Sequence, residues 1–447
     1  MPRIVRAGKA EHHDLDTLLT PVAAWSLAPK FVALPSAASP VMPDANHITD
    51  LDRQSSLCDD GLGYGPYKLR CSMRREGERV ILDWSGTDPQ SAGPINFYLN
   101  ENMLKMFFGI YMVMVFDPQI LYNDGFYDLV DVRIPEGSLL KPRFPAALSC
   151  RTHALGRVFD VLGGLLGQRQ PEFLCAAGFS SSPHLMYSGY NRRGEWYQLY
   201  QIGFGGIPER PSGDGPDSHS LWPSFTNVPN EFLEAYFPLR VEKYETVADS
   251  GGPGLHRGGN GIDIAYRFLE PGEVSIHDDR WFTYPWGVNG GLPGGRSRKY
   301  IERVDGTVEI LQSKCDRIKV NESELLHYIT WGGGWSDPLM REPEVVAQEV
   351  ERGLVTVEGA RRYGVVLQKD GTVNHATTTE LRERIRTARG ALQVFNFGVL
   401  YDKVCRGRCY GKPGIGCAVI AARRVWMAGP SRRRERSSSS GVYRRSF

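Results

Sequence analysis

Apolar and polar positions along the chain change texture several times, and each texture predicts a kind of element. Lys68–Met73 and Arg79–Trp84 read as two strands joined by the turn Glu76-Gly77-Glu78. The second strand runs into the turn-rich stretch Asp83-Trp84-Ser85-Gly86-Thr87-Asp88-Pro89. Met103–Phe116 is an unbroken apolar run apart from Lys105 and predicts a buried helix stopped by Asp117-Pro118. Val130–Ile134 predicts a short strand ended by Pro135-Glu136-Gly137. Thr152–Gly167 places Leu155, Val158, Phe159, Val161 and Leu162 on one face, as a helix requires.

From Gly178 to Tyr328 the pattern becomes short apolar runs between Gly, Pro, Asn and Asp loops, which predicts a β-rich region. Beyond Gly332-Gly333-Gly334 the helical period returns. Pro343–Arg352 carries Glu342 and Glu344 at its start, where acidic side chains complement the helix dipole. Val357–Tyr363 and the charge-rich Thr379–Arg389 predict two more helices. The fold class read from this is α+β: a β-rich central domain with Gly-rich loops and flanking helices. Three parts are expected: a divergent segment over 1–58 without clean period, a domain over 59–398, and a divergent basic tail over 399–447.

Composition narrows the classes. At 447 residues the chain can bury a large core, and 41% hydrophobic with 23% charged content is ordinary for a globular protein. A formal charge of +2 gives no steering toward nucleic acid or anionic membrane. The longest apolar run, Met103–Phe116, is too short to cross a bilayer. Met1 is followed by charged residues rather than an apolar leader, so a cytoplasmic location is expected. Cys58, Cys71, Cys150, Cys175 and Cys315 are scattered without metal-ligand spacing, and Cys405, Cys409 and Cys417 in the tail are a weak zinc pattern. The run Arg432-Arg433-Arg434-Glu435-Arg436 followed by Ser437–Ser440 has the composition of a solvated, low-complexity tail.

Three stretches hold more glycine than turns need. The first is Asp249–Gly261, with Ser250, Gly251-Gly252, Arg257 and Gly258-Gly259. Its glycines permit close backbone approach, its N–H groups can cradle an anion, and Arg257 can add a bidentate donor; a tight crossing of β-turns accounts for the same residues. No Gly-Lys-Ser/Thr ends it, so it is not a nucleotide P-loop. The second is His277-Asp278-Asp279-Arg280 followed by Trp286-Gly287 and Asn289–Gly295. On a strand, His277 and Asp279 would share a face, as half a metal site or a proton-transfer pair. The alternative is structural: Asp278 or Asp279 pairs with Arg280 or Arg296. The third runs from Gly203-Phe204-Gly205-Gly206 to Arg210-Pro211-Ser212-Gly213-Asp214-Gly215, with Asn227, Asn230, Glu231 and Glu234 beyond. These polar side chains either line a cleft or satisfy buried backbone.

Taken in order, several phrases resemble the hydantoinase B / 5-oxoprolinase family. They are Asp83–Gln90 with Gly93-Pro94-Ile95-Asn96, Arg210-Pro211 to Asp214-Gly215, Asn230-Glu231 to Glu234, Asp249–Gly261, and Gly332–Pro338. His277–Arg280 and Trp286–Gly291 are most similar to the acetone-carboxylase alpha-type subunit within that family. The resemblance implies a subunit of an ATP-dependent cyclic-amide hydrolase of hydantoinase or 5-oxoprolinase type. A hydantoinase A-like partner would bind ATP and activate a carbonyl, and the subunit resembled here would receive the activated small molecule and hold a divalent metal. The alternatives kept are a subunit of an acetone- or acetophenone-type carboxylase, and a non-catalytic scaffold.

The family's metal ligands lie upstream of the matched phrases, and the N-terminal stretch here carries only His12-His13-Asp14 without the Gly-rich context. The expectation is therefore a copy truncated at its N-terminal half, lacking its metal ligands, with activity in isolation in doubt. The residues expected to line a cleft are His277, Asp279 and Arg280 as catalytic groups, with Asp249, Ser250, Arg257 and Asp214 binding substrate or anion. His153 is a lesser candidate beside the reading as a core histidine, and Tyr64, Trp84 and Trp286 are expected to pack.

Overall fold

The computed structural model describes residues 51–57, 59–115, 123–169, 174–179, 183–211, 213–220, 225–281, 283–330 and 333–398. His12-His13-Asp14, the tail cysteines and the Arg/Ser run lie outside the described residues. The α+β reading holds: helices and several sheets share the chain.

The first layer is a four-stranded sheet in the order β1 (Leu51–Leu57), β2 (Tyr67–Glu76), β3 (Arg79–Asp83) and β4 (Val130–Arg133). β1 starts ahead of the boundary expected at residue 59; its sequence LDRQSSL has too few apolar positions to betray a strand. β2 and β3 form the predicted hairpin, whose turn carries Gly77 at φ +60°. β4 joins β3 in parallel after two helices, α1 (Glu101–Val115) and the single turn α2 (Gly125–Leu129). Asn100 starts α1 by accepting from Met103 N at 2.8 Å, which satisfies one of the free amides of a helix start.

Helix α3 (Arg151–Arg169) packs on β1 and β2 through Leu155, Val158, Leu162 and Leu165. It also lies close to α1: a Cβ on Gly163 would sit 2.3 Å from the Tyr111 hydroxyl, so only glycine admits that approach. On the other side, α3 presents His153, Arg157 and Asp160, all buried. Their spacing of four and then three residues puts them on one helix face.

The predicted β-rich region is two further sheets. One has the order β13 (Lys314–Val320), β9 (Gly272–His277), β5 (His184–Tyr190), β6 (Trp196–Ile202). The other has the order β12 (Val308–Ile310), β11 (Arg298–Glu302), β14 (Leu325–Thr330), β8 (Ile262–Phe268), β7 (Leu239–Thr246). Their apolar faces meet in one core containing Leu185, Tyr187, Val274 and Ile276 from the first and Ile264, Phe268, Leu326 and Tyr328 from the second. A short helix, α4 (Asn230–Tyr236), interrupts the region and holds Asn230, Glu231 and Glu234, which the sequence pattern places in a loop. Its seven residues bury only Leu233, which is too little period to read.

The C-terminal part contains α5 (Pro343–Glu351), a 3-10 turn at Gly359–Tyr363 in place of the expected helix, and α6 (His375–Arg389). α6 starts four residues earlier than expected because Asn374 caps it, accepting from Thr377 N at 3.1 Å. β10 (Gly287–Val288) and β15 (Phe395–Asn396) pair at the end of this part.

Trp84 and Trp286 are buried as expected, whereas Tyr64 is 54% exposed. Tyr64 sits in the glycine-rich turn 61–66, where its amide bonds to Asp60 but its ring has no core to enter.

Candidate functional site

The Gly-rich stretches converge, but on one another. Gly258 N donates to Gly252 O at 3.0 Å, Gly259 N to Ile207 O at 3.0 Å, Leu292 N to Pro253 O at 2.8 Å, and Gly334 N to Leu292 O at 3.0 Å. A Cβ on Gly252 would lie 2.3 Å from both Gly334 N and Leu292 O, and one on Gly251 would lie 1.9 Å from Gly258 O. Four runs of main chain thus cross with no side chain between them. Most amides of Asp249–Gly261, the stretch expected to cradle an anion, bond within the chain. Besides those above, Gly251 N bonds Asn260 Oδ1, Arg257 N bonds Asp214 Oδ1, and Gly261 N bonds Ser250 Oγ.

The side chains expected to bind substrate there are likewise committed. Arg257 donates to Asp217 at 2.7 and 3.0 Å, to Glu349 at 2.9 Å and to Gly258 O at 2.8 Å. Asp214 takes a two-pronged bond from Arg341 at 2.8 and 2.7 Å. Burial works against its charge, but Arg341 and the Arg257 amide hold its carboxyl below the usual range. Asp249, at φ +63°, accepts from Thr356 N at 3.0 Å, and Ser250 Oγ donates to Val247 O. Together these residues clamp the crossing onto α5 and the 3-10 turn.

His277, Asp279 and Arg280 belong to a different cluster, at the seam between α3 and the sheet of β5, β6, β9 and β13. β9 ends at His277, so Asp279 lies beyond the strand and the two do not share a strand face; Arg280 after it has φ +64°. Asp279 points instead to α3: its Oδ1 accepts from Arg157 Nη2 at 2.9 Å, and its Oδ2 lies 3.6 Å from Lys314 Nζ. Arg280 Nη2 donates to Asp160 at 2.6 Å and to Gly178 O at 3.2 Å. Lys299 pairs with Asp278 beside them. The structural alternative for Arg280 is therefore half right: it pairs with an aspartate, but with Asp160 of α3 rather than its sequence neighbours. Main chain links this cluster to the crossing, since Ser297 N bonds Arg280 O and Gly295 N bonds Ser250 O.

His277 stands at the edge of the buried charges. Its Nε2 lies 3.0 Å from Asp316 Oδ1. Strand register places His184 and Lys314 directly on either side of it. The His184 ring lies 6.3 Å from that of His277 and 6.1 Å from that of His153 on α3. Burial, with His277 and Arg151 nearby, pulls His184 down to about 4; burial and Lys314 push His153 well below its ordinary value. Both rings are therefore neutral at neutral pH. Lys314 Nζ also reaches Asp59 at 3.7 Å, tying the end of the first sheet into the seam. Exposed Asp316, Arg151 and Tyr200 open the cluster to solvent, with the Tyr200 ring 5.2 Å from His184.

Sequence reading missed His184, Lys314 and Asp316, because they come from separate strands and only register unites them. Arg157 and Asp160 did leave a trace: two charges at helical spacing inside an apolar helix. Among the described residues, no group of three or more His, Cys, Asp or Glu side chains converges to hold a metal ion. None of the described helices is long and apolar enough to cross a membrane.

Comparison with known proteins bears on this arrangement. The family model described as Hydantoinase B/oxoprolinase matches residues 41–338. A putative D-/L-hydantoinase B-type chain of Pseudomonas sp. (strain NS671) is 28% identical over 352 residues, covering 76% of this chain and 59% of its own length. The crystal structure of ATP-dependent caprolactamase from Pseudomonas jessenii superposes with a TM-score of 0.66 at 22% identity, covering 83% of this chain and 63% of that one. A nucleotide-free acetone carboxylase structure gives 0.66 at 20% identity, covering 85% and 55%. These superpositions establish likeness of fold. The chain spans about three-fifths of the length of the curated relatives it matches.

Proposed function

Because the chain belongs to the hydantoinase B/oxoprolinase family, we propose that it is the acceptor component of an ATP-dependent cyclic-amide hydrolase, completing ring opening of a carbonyl activated by an ATP-binding partner. The observation that carries this reading is the His277–Asp316 pair, 3.0 Å apart at the solvent edge of a buried charge cluster. A carboxylate on one ring nitrogen orients the imidazole, leaving Nδ1 to take a proton from water attacking the activated carbonyl. Asp279, Arg280, Arg157 and Asp160 fix the turn that follows His277 and act as positioning residues. The clamp of Asp214, Ser250, Asp249 and Arg257 holds the shape of the neighbouring crossing.

Among the described residues no ligand set for the family's divalent metal comes together. The sequence match to a relative named as one component of a hydantoinase supports a hydrolase with a separate partner. The test is reconstitution with an ATP-binding partner and assay of ATP-dependent opening of hydantoin, 5-oxoproline and caprolactam. Turnover independent of bicarbonate supports the reading, and His277→Gln should lower kcat by about 10²- to 10⁴-fold, the usual scale for losing a general base. Turnover that needs bicarbonate and a ketone, or an unchanged His277→Gln variant, would overturn it.

A further inference from the structure

β6 is an edge strand, and it is built unlike the long edge strands β7 and β13. β7 carries Arg240, Glu242, Lys243 and Glu245, and β13 carries Lys314, Asp316, Arg317 and Lys319. Charges of that kind keep a free edge from pairing with another chain. β6 reads Trp-Tyr-Gln-Leu-Tyr-Gln-Ile and has no charge at all.

The hydrogen bonds of β6 divide by residue parity. In an antiparallel strand each residue directs its N–H and C=O to the same side, and alternate residues face opposite sides. Glu195 O and Gly203 N bond back across the β5 hairpin, to Asn191 N and Pro183 O. Odd-numbered positions between them therefore face β5, and even-numbered positions face the open edge. The last even position is already covered, since Asn227 donates its side-chain amide to Ile202 O at 2.7 Å and accepts from Ile202 N at 2.8 Å. That amide imitates one peptide unit of an absent neighbouring strand. Trp196, Gln198 and Tyr200 have no such partner among the described residues.

The same three residues point their side chains to solvent. Trp196 is 61% and Tyr200 48% exposed, and Tyr190, opposite Trp196 on β5, is 68% exposed. Aromatic, glutamine, aromatic is a self-complementary order. Two copies paired antiparallel about Gln198 bring Trp196 of one opposite Tyr200 of the other, twice, with the two glutamines meeting on the twofold axis. Aromatic pairs across strands are stabilising, and an isologous contact of this kind closes after two copies. The register stops where the Asn227 amide begins, so nothing has to be displaced.

We propose that β6 pairs with β6 of a second copy of this chain, forming a twofold dimer with a continuous eight-stranded sheet. The dimer has a consequence for the site: Tyr200, whose ring packs on His184, is then covered by Trp196 of the other copy. Each His277 cluster gains an outer wall from its neighbour.

The experiment measures the mass of the full chain by sedimentation equilibrium at micromolar concentration, for the parent, Gln198→Lys and Gln198→Glu. Gln198 is exposed, and circular dichroism confirms that each variant folds. The parent should be a dimer. Each single variant should raise the dissociation constant at least about tenfold, because like charges then meet on the axis. An equimolar mixture of the two variants should recover the dimer, since opposite charges face each other. A monomeric parent overturns the proposal, including one in which hydrogen exchange finds the Trp196, Gln198 and Tyr200 amides protected by another part of the same chain. Undiminished dimerisation of both variants overturns it as well.

Discussion

Arg157 Nη2 and Asp279 Oδ1 meet at 2.9 Å, with both side chains wholly out of solvent and 122 positions apart in sequence. The pair joins α3, which belongs to the first core, to the turn that follows β9 in the second. Asp160 completes the linkage by accepting from both Arg157 and Arg280. The seam that carries His277 is therefore held by charge on the inside rather than by apolar packing.

Removing one member leaves the other charged and buried, which is costly. Arg157→Met and Asp279→Asn are each expected to destabilise by roughly 3–5 kcal/mol. The double variant should lose less than the sum, since neither buried charge is then stranded. Urea denaturation of the four proteins measures the coupling, and simple additivity would count against a functional seam.

His184 predicts an acid-sensitive stability. Its folded pKa, about 4, lies below the unfolded value near 6.5, so the unfolded chain binds the proton first. Its contribution is intact above pH 6.5 and is lost as pH falls from there toward 4. The full swing is roughly 3 kcal/mol at most, at 1.4 kcal/mol per unit. His184→Gln should flatten the stability profile between pH 6.5 and 4, as read by thermal melts across that window, while leaving the slope above pH 7 unchanged.

Glu209 predicts the opposite sign. It is fully buried, neither carboxyl oxygen has a hydrogen-bond partner, and burial with Asp214 nearby holds its pKa well above the ordinary carboxylate range. Here the folded chain keeps the proton that the unfolded chain releases, so stability falls as pH rises beyond about 4.5. Glu209→Gln should match the parent near pH 4.5 and gain on it by at least about 1 kcal/mol between pH 5 and 8. Denaturation at the two pH values decides this, and a gain that is equal at both would point to packing instead.

Glycine in the crossing should be irreplaceable, while glycine at its rim should not. Gly252→Ala sets a methyl group against main-chain atoms on two sides and should cost about 3 kcal/mol or more. Gly213→Ala meets nothing within 4 Å and should shift stability by less than about 1 kcal/mol. Expression level and melting temperature of the two variants provide the comparison.

Much of the fold was legible in the sequence because long elements carry long patterns. α1, α3, the β2–β3 hairpin and α5 lie where period and turn residues put them. The failures have physical causes. β1 is too polar, α4 too short, and the 3-10 turn at Gly359–Tyr363 mimics a helix over one turn. At the site, His277 and its neighbours stood out as a phrase, yet the strand ends at His277 and Asp279 beyond it faces α3. The glycine phrases signalled close backbone approach correctly, but the approach is of chain to chain. His184, Lys314 and Asp316 are individually unremarkable; only strand register makes them neighbours, and register is not written in any one segment.

The crossing of glycine-lined main chain also sets the order in which the protein can be built. Its runs come from near residues 207, 252, 292 and 334, so it cannot be complete before the last has left the ribosome. Such distant closures are entropically slow. The two sheets can form earlier from their hairpins, but the fastening that locks them to the C-terminal helices is completed last. A nascent chain halted short of residue 334 would hold its sheets with that fastening undone.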